Sequence, residues 1–311
     1  MTQKIGRREF LKGGAAFGAA AVFGSIPVNP RQTPAKSGGP DLAVAKGADS
    51  FAITSKALEA LGGIKAFVPK GSSVGLVINA PTWWKRPGSH THPEVVLAVI
   101  LACQEAGAKD IQYLIDPAAD FWSKTQLSAK YKAELGAVKK CSGNFVGKDV
   151  PQGRSLKKTK LIKEFLDCDV VINLPIIKHH VGVNMSGNLK NLMGVNDTSS
   201  NNFFHSGSGS KTEYGDVPFL SQCIADLNTL RRPALCVADA TEFLLTNGPE
   251  GPGELRRLQT VVAGVDPVAV DSYGAAFVNL KAAEVLMIKK SAEAGIGRYD
   301  VEKLNVRQIA V

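Results

Sequence analysis

Clustered cysteines, nucleotide-binding glycine signatures and long apolar runs are all missing from this chain. Its five cysteines (Cys103, Cys141, Cys168, Cys223 and Cys236) show no C-x-x-C spacing, and their odd number leaves at least one thiol unpaired in any disulfide scheme. Cys103, Cys223 and Cys236 lie in apolar patterns and are expected in the core. There is no Walker loop, no G-x-G-x-x-G and no G-x-S-x-G, which argues against a nucleotide-triphosphate enzyme, a dinucleotide-binding Rossmann enzyme and an α/β-hydrolase. Aromatic residues make up only 7% of the sequence and are not interleaved with basic ones, so nucleic acid is not an expected partner.

What charge there is leans positive. The formal net charge is +9, and residues 1–24 contribute three of those charges through Lys4, Arg7, Arg8 and Lys12 against Glu9. The remaining excess is modest and favours anionic ligands or an anionic surface. Arg7 and Arg8, followed by Phe10, Leu11 and Lys12 and then a weakly hydrophobic Gly/Ala run, read as a twin-arginine export signal over residues 1–24. The run is too short for a stable bilayer span, which needs about twenty apolar residues. The expected partner is the export machinery, the expected location periplasmic or extracytoplasmic. Because that route carries folded proteins, a preloaded cofactor is compatible with it. Residues 25–48, rich in Pro, Gly and small polar residues, read as a flexible linker, and 49–311 as the folded domain.

The most informative stretch is 169–195, DVVINLPIIKHHVGVNMSGNLKNLMGV. Val170, Val171, Ile172 and Leu174 form a buried strand that Pro175 stops. Lys178, His179, His180, Asn184, Ser186, Asn188, Lys190 and Asn191 follow, interleaved with glycines. Cations and polar groups beyond the carboxyl end of a buried strand occupy the place where open α/β sheets bind ligands. Lys178 and Lys190 suit anion binding. Lys190, beside histidines and other cations, is also a candidate base or covalent attachment point, because neighbouring positive charge lowers an amine's pKa. His180 is a second catalytic candidate. Asn184, Ser186, Asn188 and Asn191 can orient a ligand or form turns. His179 and His180 are adjacent, so on an extended segment they point opposite ways and do not ligate one metal together.

Other strand ends add polar residues. The loop 80–92, APTWWKRPGSHTH, offers Arg86, His90 and His92 beside two tryptophans. It reads either as a ligand wall with metal donors or as an exposed loop ending in a helix cap, with Thr91-His92-Pro93-Glu94 as the helix start. Asp239 ends a buried strand. Asp266-Pro267 opens a helix, and Asp271, one turn on among apolar residues, is a candidate site residue or buried partner. NGPEGPG (247–253) is a surface turn or a lid. Residues 118–135 are expected as a helix, 136–160 as a lysine-rich hairpin or surface excursion, and 196–216, which contains His205, as a long loop covering the site. Strands alternating with helices predict an α/β fold, a mostly parallel sheet with helices on both faces, either as one large domain or as two lobes with a site between them.

The pattern strand, Pro, Lys-x-His, Gly, Leu-Lys-Asn-Leu-Met-Gly resembles the signature of the DUF362 family. THPEVVLAVILACQEAGAKDI (91–111), NGPEGPG (247–253) and AGVDPVAVDSYGA (263–275) extend the resemblance over most of residues 73–300. Many members of that family also carry a ferredoxin-like module with clustered cysteines. None occurs here, so no iron–sulfur cluster is expected. The order His180, Lys190, His205 is also remotely similar to the nickel-pincer lactate racemase family, in which a lysine attaches a modified pyridine cofactor and a downstream histidine ligates nickel. Here Ser186-Gly187-Asn188-Leu189-Lys190 replaces S-G-G-x-K, so this resemblance implies shared architecture more than a shared cofactor.

Imidazoles suit a transition metal, for which the expected donors are His205, His180 and His92. The expected function is an exported metal- or cofactor-dependent enzyme, of redox or racemase type, acting on a small anionic metabolite. The candidates are Lys190, His180 and Asp271 for catalysis and Lys178, Asn184, Ser186, Asn188, Asn191, Arg86 and Asp239 for binding. The alternative is a binding or delivery protein for an anion, metal or cofactor, without turnover.

Overall fold

The structure, a computed structural model, describes residues 39–81, 86–206 and 216–311. The twin-arginine motif, both adjacent tryptophans, Lys85 and the glycine-rich stretch after Ser206 lie outside the described residues.

The first half alternates strands and helices: β1 (Leu42–Lys46), α1 (Ser50–Ala60), β2 (Ser73–Ile78), α2 (Pro93–Glu105) and β3 (Asp110–Tyr113). Side-chain caps set the helix starts. Asp49 accepts from Ala52 N at 2.8 Å, and His92 Nδ1 accepts from Glu94 N at 3.3 Å with Pro93 at the first helical position. Two short helices, α3 (Leu127–Lys130) and α4 (Lys132–Gly136), precede the hairpin β4 (Phe145–Asp149) and β5 (Lys158–Ile162). The central stretch gives α5 (Lys163–Asp167), β6 (Val170–Leu174), a small hairpin β7 (Lys178–His180) and β8 (Asn184–Ser186), and α6 (Asn188–Asn191). Then come α7 (Thr198–Ser206), α8 (Val217–Asn228), β9 (Leu235–Leu244), β10 (Leu255–Gly264), α9 (Pro267–Ala275), α10 (Leu286–Glu293) and β11 (Val306–Ala310). Asp266 opens α9 as expected, accepting from Val268 N and Ala269 N, both at 2.9 Å.

One seven-stranded sheet in the order β11-β1-β10-β9-β6-β2-β3 carries the fold. The neighbours β9-β6-β2-β3 and β11-β1 are parallel, whereas β10 is antiparallel to both β1 and β9. The described residues thus form the one-domain alternative. Strand alternation divides the core in two. Val170, Ile172 and Leu174 of β6, with Val74, Leu76 and Ile78 of β2, face α1 and α2. Val171 and Val77 face the opposite way, toward Leu189, Leu192, Ile224, Leu227, Val268 and Val270. Asn173 alternates with Val171 onto that second side and is fully buried.

Three expectations change. Residues 42–46, inside the stretch read as linker, form a buried inner strand whose alanines escape a search for large apolar runs. The region 118–135 is not one helix. It breaks at Thr125, which is extended (φ −138°, ψ 138°) with its hydroxyl on Glu94, and again at Tyr131. The stretch 196–216 is not all loop. Asp197 Oδ1 accepts from Ser200 N at 2.8 Å and starts α7, which carries His205. No helix among the described residues is long and apolar enough to cross a membrane.

Candidate functional site

The residues beyond β6 are positioned from below by Asp271 of α9. Its carboxylate is fully buried and takes three hydrogen bonds: Asn188 N at 2.6 Å and Asn188 Nδ2 at 3.0 Å on Oδ1, Leu189 N at 2.9 Å on Oδ2. These satisfy amide groups at the start of α6, the four-residue helix that presents Lys190. Gly187 is required for the approach, because a Cβ there would lie 2.3 Å from Asp271 Oδ1. Burial raises the Asp271 pKa to about 6 despite those donors.

A relay of buried amides fixes the other side of α6. Asn191 Nδ2 donates to Val77 O at 3.0 Å and to Asn173 Oδ1 at 2.8 Å, and Asn173 Nδ2 donates to Asn188 O at 2.8 Å. The two backbone carbonyls leave only one orientation for each amide. Asn191 Oδ1 must then face Asn79, whose Nδ2 donates to it at 3.0 Å. Asn79 Oδ1 has no hydrogen-bond partner among the described residues. Backbone bonds from Asn79 N to Leu174 O and from Thr91 N to Asn79 O hold that residue at the end of β2.

Above this floor lies a cleft of ≈ 430 Å³ at the carboxyl ends of β2 and β3, where α/β sheets bind ligands. Asn79, Ser186, Lys190, Asn191 and Asn196 line it, with Thr198, Asn201 and His205 of α7 opposite. Among the described residues, no acidic side chain lines it. Lys190 is partly exposed into the cleft and forms no hydrogen bond or ion pair with any described residue. Burial of its surroundings lowers its pKa to about 8, so a substantial fraction is neutral at mildly alkaline pH. His205 is exposed on one side. Desolvation of the other side, with Lys190 close by, holds its imidazole below the ordinary value.

Of the expected residues, Ser186, Lys190, Asn191 and His205 therefore share one cleft. His180 lies buried behind it. Its Nδ1 accepts from Gly182 N at 2.9 Å, which leaves the proton on Nε2. Burial, then the cations Lys190 and Lys178, hold the ring neutral. Asn188 and Asp271 form the scaffold beneath. Asn184, at φ 70°, is the exposed turn residue of the β7–β8 hairpin.

The others serve a neighbouring brace. Lys178 is fully buried, and its Nζ donates to Ser89 O at 2.5 Å and to Pro249 O at 3.1 Å. It ties loop 86–92 to loop 247–253, and burial, then Lys190, lowers its pKa well below the ordinary value. Loop 247–253 packs closely on β7: Gly248 N donates to the His179 imidazole Nδ1 at 3.1 Å, and a Cβ at Gly248 would meet His179 O. Asp239 is fully buried, accepts from His92 N at 2.6 Å and from Thr241 N at 2.8 Å, and has its pKa raised by burial. Arg86 lies against Gly251. His92 commits Nδ1 to the cap of α2.

Among the described residues, no three His, Cys, Asp or Glu side chains gather where they could hold a metal. Lys190 and His205 are the amine and imidazole donors that line the cleft among the described residues.

Asn79, Asn196, Thr198 and Asn201, which line the candidate cleft, and Asn173, which supports it, were not singled out by sequence reasoning. Asn173 carried a signal, as an amide inside an otherwise apolar strand. Asn196, Thr198 and Asn201 were hidden in a stretch taken for loop.

Residues 74–276 match the family described as Domain of unknown function (DUF362). The chain belongs to the DUF362 family. It is 30% identical over 220 residues to the thylakoid-associated protein sll1697 of Synechocystis sp., an alignment covering 69% of this chain and 65% of that protein. The chain thus matches about 65% of the length of that relative. Among solved structures, the lactate racemase apoprotein of Thermoanaerobacterium thermosaccharolyticum is similar at 15% identity and a TM-score of 0.40, over 63% of this chain and 50% of that one. A likeness this loose bears on neither reaction nor cofactor. The match to DUF362 spans β2 to α9 and so includes both the Lys190 cleft and its Asp271 support.

Proposed function

We propose that this DUF362 protein binds a small anionic metabolite in the Lys190 cleft and acts on it through the Lys190 amine. The observation that carries this reading is a lysine recessed in a cleft lined by amides, hydroxyls and apolar side chains, with no counter-charge and no acid among the described residues that line it. An anion supplies the missing charge, and the Ser186 hydroxyl can donate a hydrogen bond to it. An amine with a pKa near 8 exists in both forms around neutrality, so it can take a proton from a substrate C–H or add to a carbonyl carbon. Neutral His180 behind it adds no competing positive charge.

The test is direct binding of small carboxylates and inorganic phosphate, read by thermal shift and calorimetry. A ligand at a hundred times its Kd should stabilise the parent by about 2.7 kcal/mol. Lys190→Met should abolish the effect. Lys190→Arg should keep part of the binding but lose turnover. Equal binding by the parent and Lys190→Met would overturn the reading.

A second reading has one supporting observation: Lys190 and His205 line the same cleft. Together they suit a preassembled metal cofactor, with the amine as attachment point and His205 as ligand. Elemental analysis of protein purified from its own host without chelator tests this reading, which expects a transition metal that His205→Ala loses. Export by the twin-arginine route, supported by Arg7 and Arg8, belongs to the same proposal. Changing both arginines to lysine should leave the protein in the cytoplasm.

A further inference from the structure

We propose that the β4–β5 hairpin, with Phe145 and Phe203 beside it, is a docking surface for an anionic lipid bilayer. Between Phe145 and Ile162 the chain carries Lys148, Arg154, Lys157, Lys158 and Lys160 against the single acid Asp149. The hairpin is a separate two-stranded sheet outside the main one. In its register Phe145 pairs with Ile162, Gly147 with Lys160 and Asp149 with Lys158. Since side chains alternate, Phe145, Lys158 and Lys160 stand on one face of the hairpin. Leu161 and Thr159, on the other face, are buried, whereas Lys148 on that same face is exposed and reaches the hairpin edge where it borders one groove with Lys158 and Lys160.

Phe203 of α7 borders the same shallow groove as Lys148, Lys158 and Lys160. Phe145 and Phe203 are 42% and 40% exposed, which is unusual for phenylalanine. The ion pairs in the patch are loose and solvated. Lys158 Nζ lies 3.7 Å from Asp149 Oδ1 and Lys160 Nζ lies 4.0 Å from Asp197 Oδ2. They leave the lysines free to face another surface. Lysines alone would suit any polyanion. Two exposed phenylalanines among them favour a bilayer, where cations meet the headgroups and rings enter the boundary below. The patch also flanks the cleft. One side of α7 lines the site through Thr198, Asn201 and His205, and the other lines the basic groove through Ser199, Ser200 and Phe203. A docked bilayer would thus lie next to the cleft.

The test is co-sedimentation of the full chain with phosphatidylcholine vesicles, with and without phosphatidylglycerol. Binding is expected only with the anionic lipid and should weaken steeply with salt. Lys148, Lys158 and Lys160 changed together to Gln should lower partitioning about a hundredfold. Phe145→Ser with Phe203→Ser should lower it further without changing the salt dependence. The three lysines are exposed, so thermal melts and Lys190 reactivity of the lysine variant should match the parent. The inference is overturned if the parent does not sediment with anionic vesicles, or if the lysine variant binds them as well as the parent does. Retention on heparin without vesicle binding would show a soluble polyanion site instead and would equally overturn it.

Discussion

Replacing Asp271 with asparagine removes one charge from beneath the cleft while preserving the outline of the side chain. Burial moves the Asp271 pKa from 3.8 to about 6, even though three N–H groups favour the ionised form. The folded protein therefore keeps this proton at pH values where the unfolded chain has already lost it. Its contribution to stability is complete below about pH 4 and is lost as pH rises through about 6, a difference of about 3 kcal/mol. Asparagine has no such linkage. Its amide nitrogen would face the Leu189 N–H where Oδ2 now accepts, which costs about 1–3 kcal/mol at every pH. Asp271→Asn should therefore be clearly less stable than the parent near pH 4 and should gain on it by about 3 kcal/mol by pH 7. Urea unfolding of both proteins at a series of pH values measures the difference, in which the other titrating groups cancel. A stability difference that stays constant across that range would refute a strained buried carboxylate.

Further outcomes follow from the same support. Gly187→Ala drives a methyl group into the Asp271 carboxylate and should cost about 1–3 kcal/mol in urea unfolding; an unchanged midpoint would contradict the close approach. Asn191→Leu leaves Val77 O, Asn173 Oδ1 and Asn79 Nδ2 unmatched and should cost about 2–4 kcal/mol. Lys178→Met should raise amide hydrogen exchange in residues 86–92 and 247–253 while leaving β1 and α1 unchanged; uniform protection would show that Lys178 does not brace those loops.

The sequence exposed the scaffold more readily than the division of labour within it. Apolar runs ending at Asn79 and Pro175, and caps such as Asp266-Pro267, were sufficient to place much of the sheet and the loops beyond it, but β9 (Leu235–Leu244) runs on past Asp239, which the sequence read as a strand end. Lys190 and His205 stood out because cations in a glycine-rich segment after a buried strand have no packing role. Lys178 and Asp239 stood out for the same reason, yet both are buried braces. Only three-dimensional placement distinguishes a lysine facing a cleft from one facing two carbonyls. Asp271 was legible as a residue that capping does not explain, but not as the group holding Asn188 and Leu189, because that contact joins segments 82 residues apart. Strand β1 was missed because Ala43 and Ala45 pack as tightly as larger residues in an inner strand without a strong apolar signature.

Everything proposed for the cleft depends on Lys190 being an accessible amine of lowered pKa with no acidic partner among the described residues. Competitive labelling with a small acylating reagent across pH, read peptide by peptide in a mass spectrometer, tests it without knowledge of the ligand. The account predicts that Lys190 titrates near 8, well below exposed lysines, and that small anions which bind the protein slow its modification. Titration of Lys190 with the surface lysines near 10.4, or no modification at any pH, would contradict it.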